Sequence, residues 1–148
     1  MKYKHTQVGY LMLGILSLLT LFYVWLNLII SEDTGFNFFI PATMVLILFI
    51  LASFSTLTVV IDENYLRIKF GYGIFRKNFL LDDIASVKTV KNHWYYGWGI
   101  RLWFWPFMWI YNVSGFDAVE IKMKNGKMYR IGTDEPKKLE QAILQSIN

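Results

Sequence analysis

The sequence predicts an α+β fold in which a membrane-spanning helical hairpin precedes an antiparallel β domain that ends in one helix. Three observations support this class. Two long uncharged apolar runs occupy most of the first 57 residues, short stretches of alternating apolar and polar residues follow, and the last residues carry apolar side chains at helical spacing. We expect a transmembrane hairpin over residues 1–57, with spans of about 8–30 and 38–57, and a β domain over residues 58–148.

The first apolar run, Val8 to Ile30, contains no charged residue and exceeds the roughly 20 residues that a helix needs to cross a bilayer. It is too long for the apolar core of a signal peptide and lacks a small-residue cleavage site. The second run, Phe38 to Leu57, is also uncharged, and Pro41 falls in its first turn, where the missing N–H costs little. Both runs are therefore predicted to be spans.

Charged residues outside the two runs predict their orientation. Lys2 and Lys4 precede the first run, and Arg67 and further basic residues follow the second. The positive-inside rule then places both termini in the cytoplasm of a two-pass protein, with the acidic turn at residues 32–33 outside. The spans carry no charge of the kind that marks ion or substrate pathways, which favours an anchor over a pore or a transporter.

Short β-strands are predicted throughout residues 57–131. Tyr65 to Phe70 alternates apolar with basic residues, as a half-buried strand does, and Asn125-Gly126 is a strong hairpin signal. We count about seven antiparallel strands. The other strands are expected at 57–61, 74–81, 85–90, 116–124 and 127–131, with a further contribution from the aromatic stretch described next.

Residues Gly97 to Gly115 form an aromatic stretch in which Arg101 is the only charged residue. Leu102 to Tyr111 is too short to cross a bilayer, and Pro106 suits a turn, so we predict two short strands folded about Trp105-Pro106-Phe107. Such a hairpin is core, a membrane-interface element, or a docking surface for a protein or peptide. Partial membrane insertion is favoured, and the residues expected to carry it are Trp103, Trp105, Phe107 and Trp109.

The C-terminal segment is predicted to be an amphipathic helix. Thr133-Asp134-Glu135-Pro136 combines a capping side chain, early acidic residues and a first-turn proline. Leu139, Ala142, Ile143 and Ile147 then recur on one face. Arg130, just before this helix, is expected to pair with Asp134 or Glu135 and fix the corner between sheet and helix.

Composition narrows the function classes. The chain has no cysteine, and its two histidines, His5 and His93, lie far apart, so we expect no metal site and no cofactor. No nucleophile–base pair or phosphate-binding loop is recognisable, so the chain is not expected to be an enzyme. The sequence pI is about 9.2, but basic residues alternate with acidic ones along the strands, which argues against nucleic-acid binding.

Five short motifs stand out in the β domain: Gly97-Trp98-Gly99-Ile100-Arg101, Tyr111-Asn112-Val113-Ser114-Gly115, Ala118-Val119-Glu120, Gly126-Lys127 and Arg130 to Pro136. Together they resemble bacterial membrane-anchored proteins with a pleckstrin-homology-like (PH-like) domain, and in particular the group that includes immunity proteins against the antimicrobial peptide sublancin. The resemblance implies a seven-stranded PH-like barrel or sandwich capped by a C-terminal helix. It marks Trp98, Arg101, Tyr111, Asn112, Arg130 and Asp134 as structural or binding residues. The chain departs from the group at LWFWPFMWI, where a shorter, polar turn is typical.

The predicted function is a PH-like interaction module anchored at the cytoplasmic face of a bacterial membrane, whose partners are the lipid bilayer and a protein or peptide. Immunity to a membrane-active peptide is the version that the resemblance implies. The alternatives are a lipid-binding or membrane-organising module and an accessory subunit of a membrane transporter. The acidic turn Asp62-Glu63-Asn64 argues against specific phosphoinositide recognition. Basic residues nearby would attract anionic lipid or form an ordinary solvated strand face; they are Arg67, Lys69, Arg76 and Lys77.

Overall fold

The computed structural model describes residues 2–148 and shows an α+β fold with two β-sheets. A long helix and a shorter one lie between the first two strands, and a third helix ends the chain. The elements are β1 (Tyr3–Val8), α1 (Tyr10–Thr34), α2 (Phe39–Ala52), β2 (Thr56–Ile61), β3 (Tyr65–Phe70), β4 (Arg76–Leu80), β5 (Ile84–Lys91), β6 (Gly99–Phe104), β7 (Phe107–Asn112), β8 (Asp117–Met123), β9 (Met128–Gly132) and α3 (Pro136–Ile147).

The strands form a four-stranded sheet A, in the order β1-β2-β3-β4, and a five-stranded sheet B, in the order β5-β8-β9-β7-β6. All neighbours are antiparallel except β7 and β9, which run parallel. The prediction of about seven strands, all antiparallel, is therefore wrong in number and in this one pair. The alternation at 65–70 and the hairpin about Asn125-Gly126 are confirmed.

The first strand was not predicted. Tyr3–Val8 pairs with β2 along its whole length, from Tyr3 opposite Ile61 to Val8 opposite Thr56. The chain thus leaves sheet A at Val8, forms both helices, and re-enters the same sheet at Thr56. A hydrogen bond from the Gly9 N–H to the Ser55 carbonyl (2.7 Å) joins the residue before α1 to the residue before β2.

The two N-terminal helices differ in length. α1 has 25 residues and is long and apolar enough to cross a membrane. α2 has 14 residues and is shorter than the predicted span of 38–57. The chain turns at Ser53 and Ser55, where each hydroxyl donates to a carbonyl three residues earlier. From Thr56 onward the residues pair with β1 and β3 as strand β2, so the helix does not continue.

The main core lies between the inner faces of the two sheets and is closed by α3. Leu139 and Ile143 of α3 are fully buried in it, which confirms the predicted apolar stripe. Pro136 occupies the first turn of this helix, as expected. The predicted side-chain cap is wrong: among residues 2–148 no side chain makes a capping hydrogen bond to α3, and Thr133 Oγ1 instead accepts from the Glu135 N–H (3.0 Å) just before the helix begins.

Candidate interaction site: the aromatic hairpin

β6 and β7 form the predicted hairpin. They pair from Gly99 opposite Asn112, at the base, to Phe104 opposite Phe107, and the Trp105-Pro106 turn joins them. Pairing spans five residue steps, so the turn lies about 17 Å from the base. The predicted two strands and their turn are confirmed.

The two faces of the hairpin pack against different parts of the domain. Near the base, Ile100 and Tyr111 point into the main core. Burial is the main cause, and the neighbouring Tyr129 the second, that raises the pKa of Tyr111 to about 12. On the opposite face, Met108 and Ile110 are buried in a second, smaller cluster. Tyr96 is buried with them, and Trp103 and Met128 pack against this second cluster.

The face that is core at the base becomes exposed toward the turn, because strand pairing places Phe104, Phe107 and Trp109 on that face beyond the edge of the main core. Trp105, in the turn itself, is 90% exposed. We call these four residues the aromatic tip. Trp103, which was predicted to belong with them, lies on the other face, where it packs on Tyr96 (ring centroids 4.7 Å apart) and donates from Nε1 to the Trp105 carbonyl (2.9 Å).

The base of the hairpin lies beside the first turns of α1. Trp98, Arg101 and Val113 face Leu11 and Ile15 across a depression of about 260 Å3. The Arg101 Nε donates to the Trp98 carbonyl (3.1 Å), so its guanidinium folds back over the 97–98 bend. Two residues that the motifs singled out, Trp98 and Arg101, therefore meet at the junction of α1 and sheet B.

Asn112 stabilises the turn after β7. Its Nδ2 donates to the Gly115 carbonyl (3.0 Å), and its Oδ1 accepts from the Ser114 N–H (3.2 Å). The Asn112 side chain is fully buried against Gly132 of β9. It occupies the space where any residue other than glycine at position 132 would place its Cβ. Gln7 of β1 donates to the Ser114 carbonyl (3.1 Å), so this turn also contacts the strand that leads into α1.

Arg130 is paired with Glu120, and the expected pairing with Asp134 or Glu135 is wrong. Its Nε donates to Glu120 Oε2 (2.9 Å) because the two residues stand opposite each other on β8 and β9. The side chain thereby points along the outer face of sheet B, away from the start of α3. Its NH1 donates to Asn92 Oδ1 (3.2 Å), and its guanidinium lies 5.6 Å from the ring centroid of Tyr96. This network supports the loop that covers the second cluster.

His5 of β1 takes the position that was expected for Arg130. Its Nε2 lies 2.5 Å from Asp134 Oδ1, and its Nδ1 lies 3.5 Å from Glu135 Oε2. Tyr3 lies near the same acidic residues, and burial, with added effects of Glu135 and Asp134, raises its pKa to about 12. The N-terminal strand is thus joined to the start of α3. Only recognition of β1 could have revealed this contact.

Within residues 2–148, no three His, Asp or Glu side chains come together as they would around a metal ion. Neither the comparison with protein-family models nor the comparison with curated proteins finds a match to this chain.

Proposed function

We propose that this chain is a membrane-anchored interaction module, in which a helical hairpin holds the two-sheet domain at one face of the bilayer and the aromatic tip makes a second contact. The observation that carries the proposal is the β1–β2 pairing. Because β1 enters α1 and β2 follows α2, both strands are on the same side of the membrane. If α1 crosses the bilayer, α2 must return across it.

The short α2 is compatible with this two-pass arrangement. Its 14 residues span about 21 Å, against a hydrocarbon thickness of about 30 Å. Uncharged segments at 35–38 and 53–55 extend it at both ends, and local thinning of the bilayer accommodates a short span at modest cost. The positive-inside rule then places both termini and both sheets in the cytoplasm.

Side-specific labelling tests this topology, and the absence of cysteine makes single-cysteine variants straightforward. We expect a membrane-impermeant thiol reagent to label Asp33→Cys on intact cells, and to label Lys2→Cys and Asn64→Cys only after permeabilisation. Lys2→Cys and Asn64→Cys on opposite sides would contradict the β1–β2 pairing in the membrane. Identical labelling of all three variants would show that neither helix crosses.

The aromatic tip is proposed to lie in the headgroup region. At most three residues separate either helix from sheet A, so the domain must sit against the bilayer. Trp side chains favour this zone, and an exposed apolar patch in water is otherwise a liability. The resemblance implies a further role, protection against a membrane-active peptide. Because the chain departs from the group at the hairpin, contact between the tip and the peptide is a separate proposal for this chain.

An environment-sensitive fluorophore on Trp105→Cys distinguishes these contacts in the full chain reconstituted into nanodiscs. We expect its emission to shift to the blue relative to the same label on Asn125→Cys, which lies in the exposed β8–β9 turn. A shift only after sublancin is added would assign the tip to the peptide instead. Emission like that of the Asn125→Cys control, with and without the peptide, would contradict both assignments.

A further inference from the structure

The outer face of sheet A carries mostly basic and polar side chains. Strand pairing aligns them in two rows across the four strands. The row nearer the helices is Thr6, Thr58, Lys69 and Arg76, and the next row is Lys4, Val60, Arg67 and Asn78.

Lys69 and Arg76 stand directly opposite each other, an arrangement that is destabilising for like charges. Arg67 is paired with Asp62 (3.3 Å). Across residues 2–148, no acidic side chain lies within ion-pair distance of Lys4, Lys69 or Arg76. Within residues 2–148 the positive charge of these three side chains therefore has no ion-pair partner, and the face attracts anions from outside the chain.

The same side chains border a shallow depression of about 530 Å3. Lys69 and Arg76 supply charged donors to it, and Thr58 and Asn78 supply a hydroxyl and an amide. Charged donors combined with neutral ones suit phosphate oxygens, which accept strong charge-assisted hydrogen bonds. The depression is open, so it fits a headgroup at a surface better than an enclosed small molecule.

The row nearer the helices lies close to the point where the chain enters the proposed membrane hairpin. It lies two residues, about 7 Å, from the Val8–Thr56 pair, where the chain enters and leaves the helices. The adjoining β3–β4 turn contacts α2 itself, because the ring of Tyr72 stacks on Phe49 (centroids 5.0 Å apart) and its hydroxyl donates to the Phe49 carbonyl. If the helices are embedded, this row lies at headgroup level.

We propose that the outer face of sheet A binds the headgroups of anionic phospholipids, with Lys69 and Arg76 as the main phosphate contacts. This inference rests on the proposed membrane anchoring. It also gives a role to the like-charged pair of Lys69 and Arg76, which stand opposite each other on β3 and β4.

Native mass spectrometry of the full chain in neutral detergent tests the proposal, with phosphatidylglycerol and phosphatidylcholine as probes. Each basic residue near an anionic surface contributes about a fivefold preference. We therefore expect Lys69→Gln/Arg76→Gln to bind phosphatidylglycerol about 25-fold more weakly than the parent, with little change for phosphatidylcholine. The matched control is Lys124→Gln/Lys127→Gln, which removes two exposed charges at the β8–β9 turn and should bind like the parent.

Equal affinity of the parent for the two lipids, or an equal loss in both double variants, would overturn the proposal. Displacement of phosphatidylglycerol by an equal concentration of inorganic phosphate would overturn the lipid assignment and identify a site for free phosphate. If cysteine labelling shows two spans but the lipid preference is absent, only this inference fails. If the labelling shows no spans, the anchoring fails independently of lipid affinity.

Discussion

Replacing Gly132 by alanine will destabilise the sheet domain by about 3 kcal/mol, because the added Cβ would overlap the Asn112 side-chain oxygen and lie 2.5 Å from its Cγ. Relief requires Asn112 to move, which breaks its hydrogen bonds to Ser114 and Gly115. We expect the Tm of the full chain in detergent, followed by near-ultraviolet circular dichroism, to fall by more than about 10 °C.

Removing the obstructing side chain should rescue most of this loss. Asn112→Gly alone costs the two turn hydrogen bonds, about 1–3 kcal/mol, and about 1 kcal/mol more for the freer backbone of glycine. Because glycine at 112 also removes the Cβ that would lie 2.9 Å from the Cβ added at Gly132, the double variant should be about as stable as Asn112→Gly, a strong coupling between neighbours. Gly14→Ala is the control, since nothing lies within 4 Å of its added Cβ. Losses that simply add in the double variant would disprove the steric explanation.

The sequence was most informative where local pattern and burial agree. The alternation at 65–70, the Asn125-Gly126 turn, the β6–β7 hairpin and the apolar stripe of α3 all depend on residues close together in the chain. Each signal reports a local backbone preference or one buried face, and the structure confirms each of them.

Elements that depend on distant partners were not predictable in this way. β1 is a short terminal strand whose inner face includes His5 and Gln7, so hydropathy gives no signal, and its partner β2 follows two intervening helices. The end of α2 could not be predicted from hydropathy, because the uncharged run continues from this helix into the buried strand β2. The parallel β7–β9 pair likewise joins segments that are separated by β8.

The candidate site shows the same division. The aromatic character of the hairpin was evident in the sequence, but the separation of Trp103 from the aromatic tip required the strand register. The partner of Arg130 also depends on register, because Glu120 faces it across β8 and β9. Proximity in sequence favoured Asp134 and Glu135, whereas the outward orientation of Arg130 on its strand excludes them.

Arg130→Met will destabilise the domain by about 3–5 kcal/mol, because it leaves the Glu120 carboxylate buried without its closest cation. Glu120 is 7% exposed and lies 2.9 Å from Arg130 Nε. Its other cation, Lys88, lies 3.3 Å away but is 67% exposed, so solvent screens much of its charge. The variant also removes the cation–π contact with Tyr96, and we expect the loop over the second cluster to loosen.

Thermal unfolding of three further variants of the full chain tests whether the unpaired Glu120 carboxylate causes the loss of stability. Lys88→Gln should cost no more than about 1 kcal/mol, as an exposed pair does. Glu120→Gln should cost less than Arg130→Met, since the amide oxygen can still accept from Arg130. Glu120→Leu/Arg130→Met removes both charges and should recover most of the stability lost in Arg130→Met, because replacing a buried pair by apolar side chains is often neutral. A double variant as unstable as Arg130→Met, or a Lys88→Gln loss of equal size, would show that the unpaired carboxylate is not the cause.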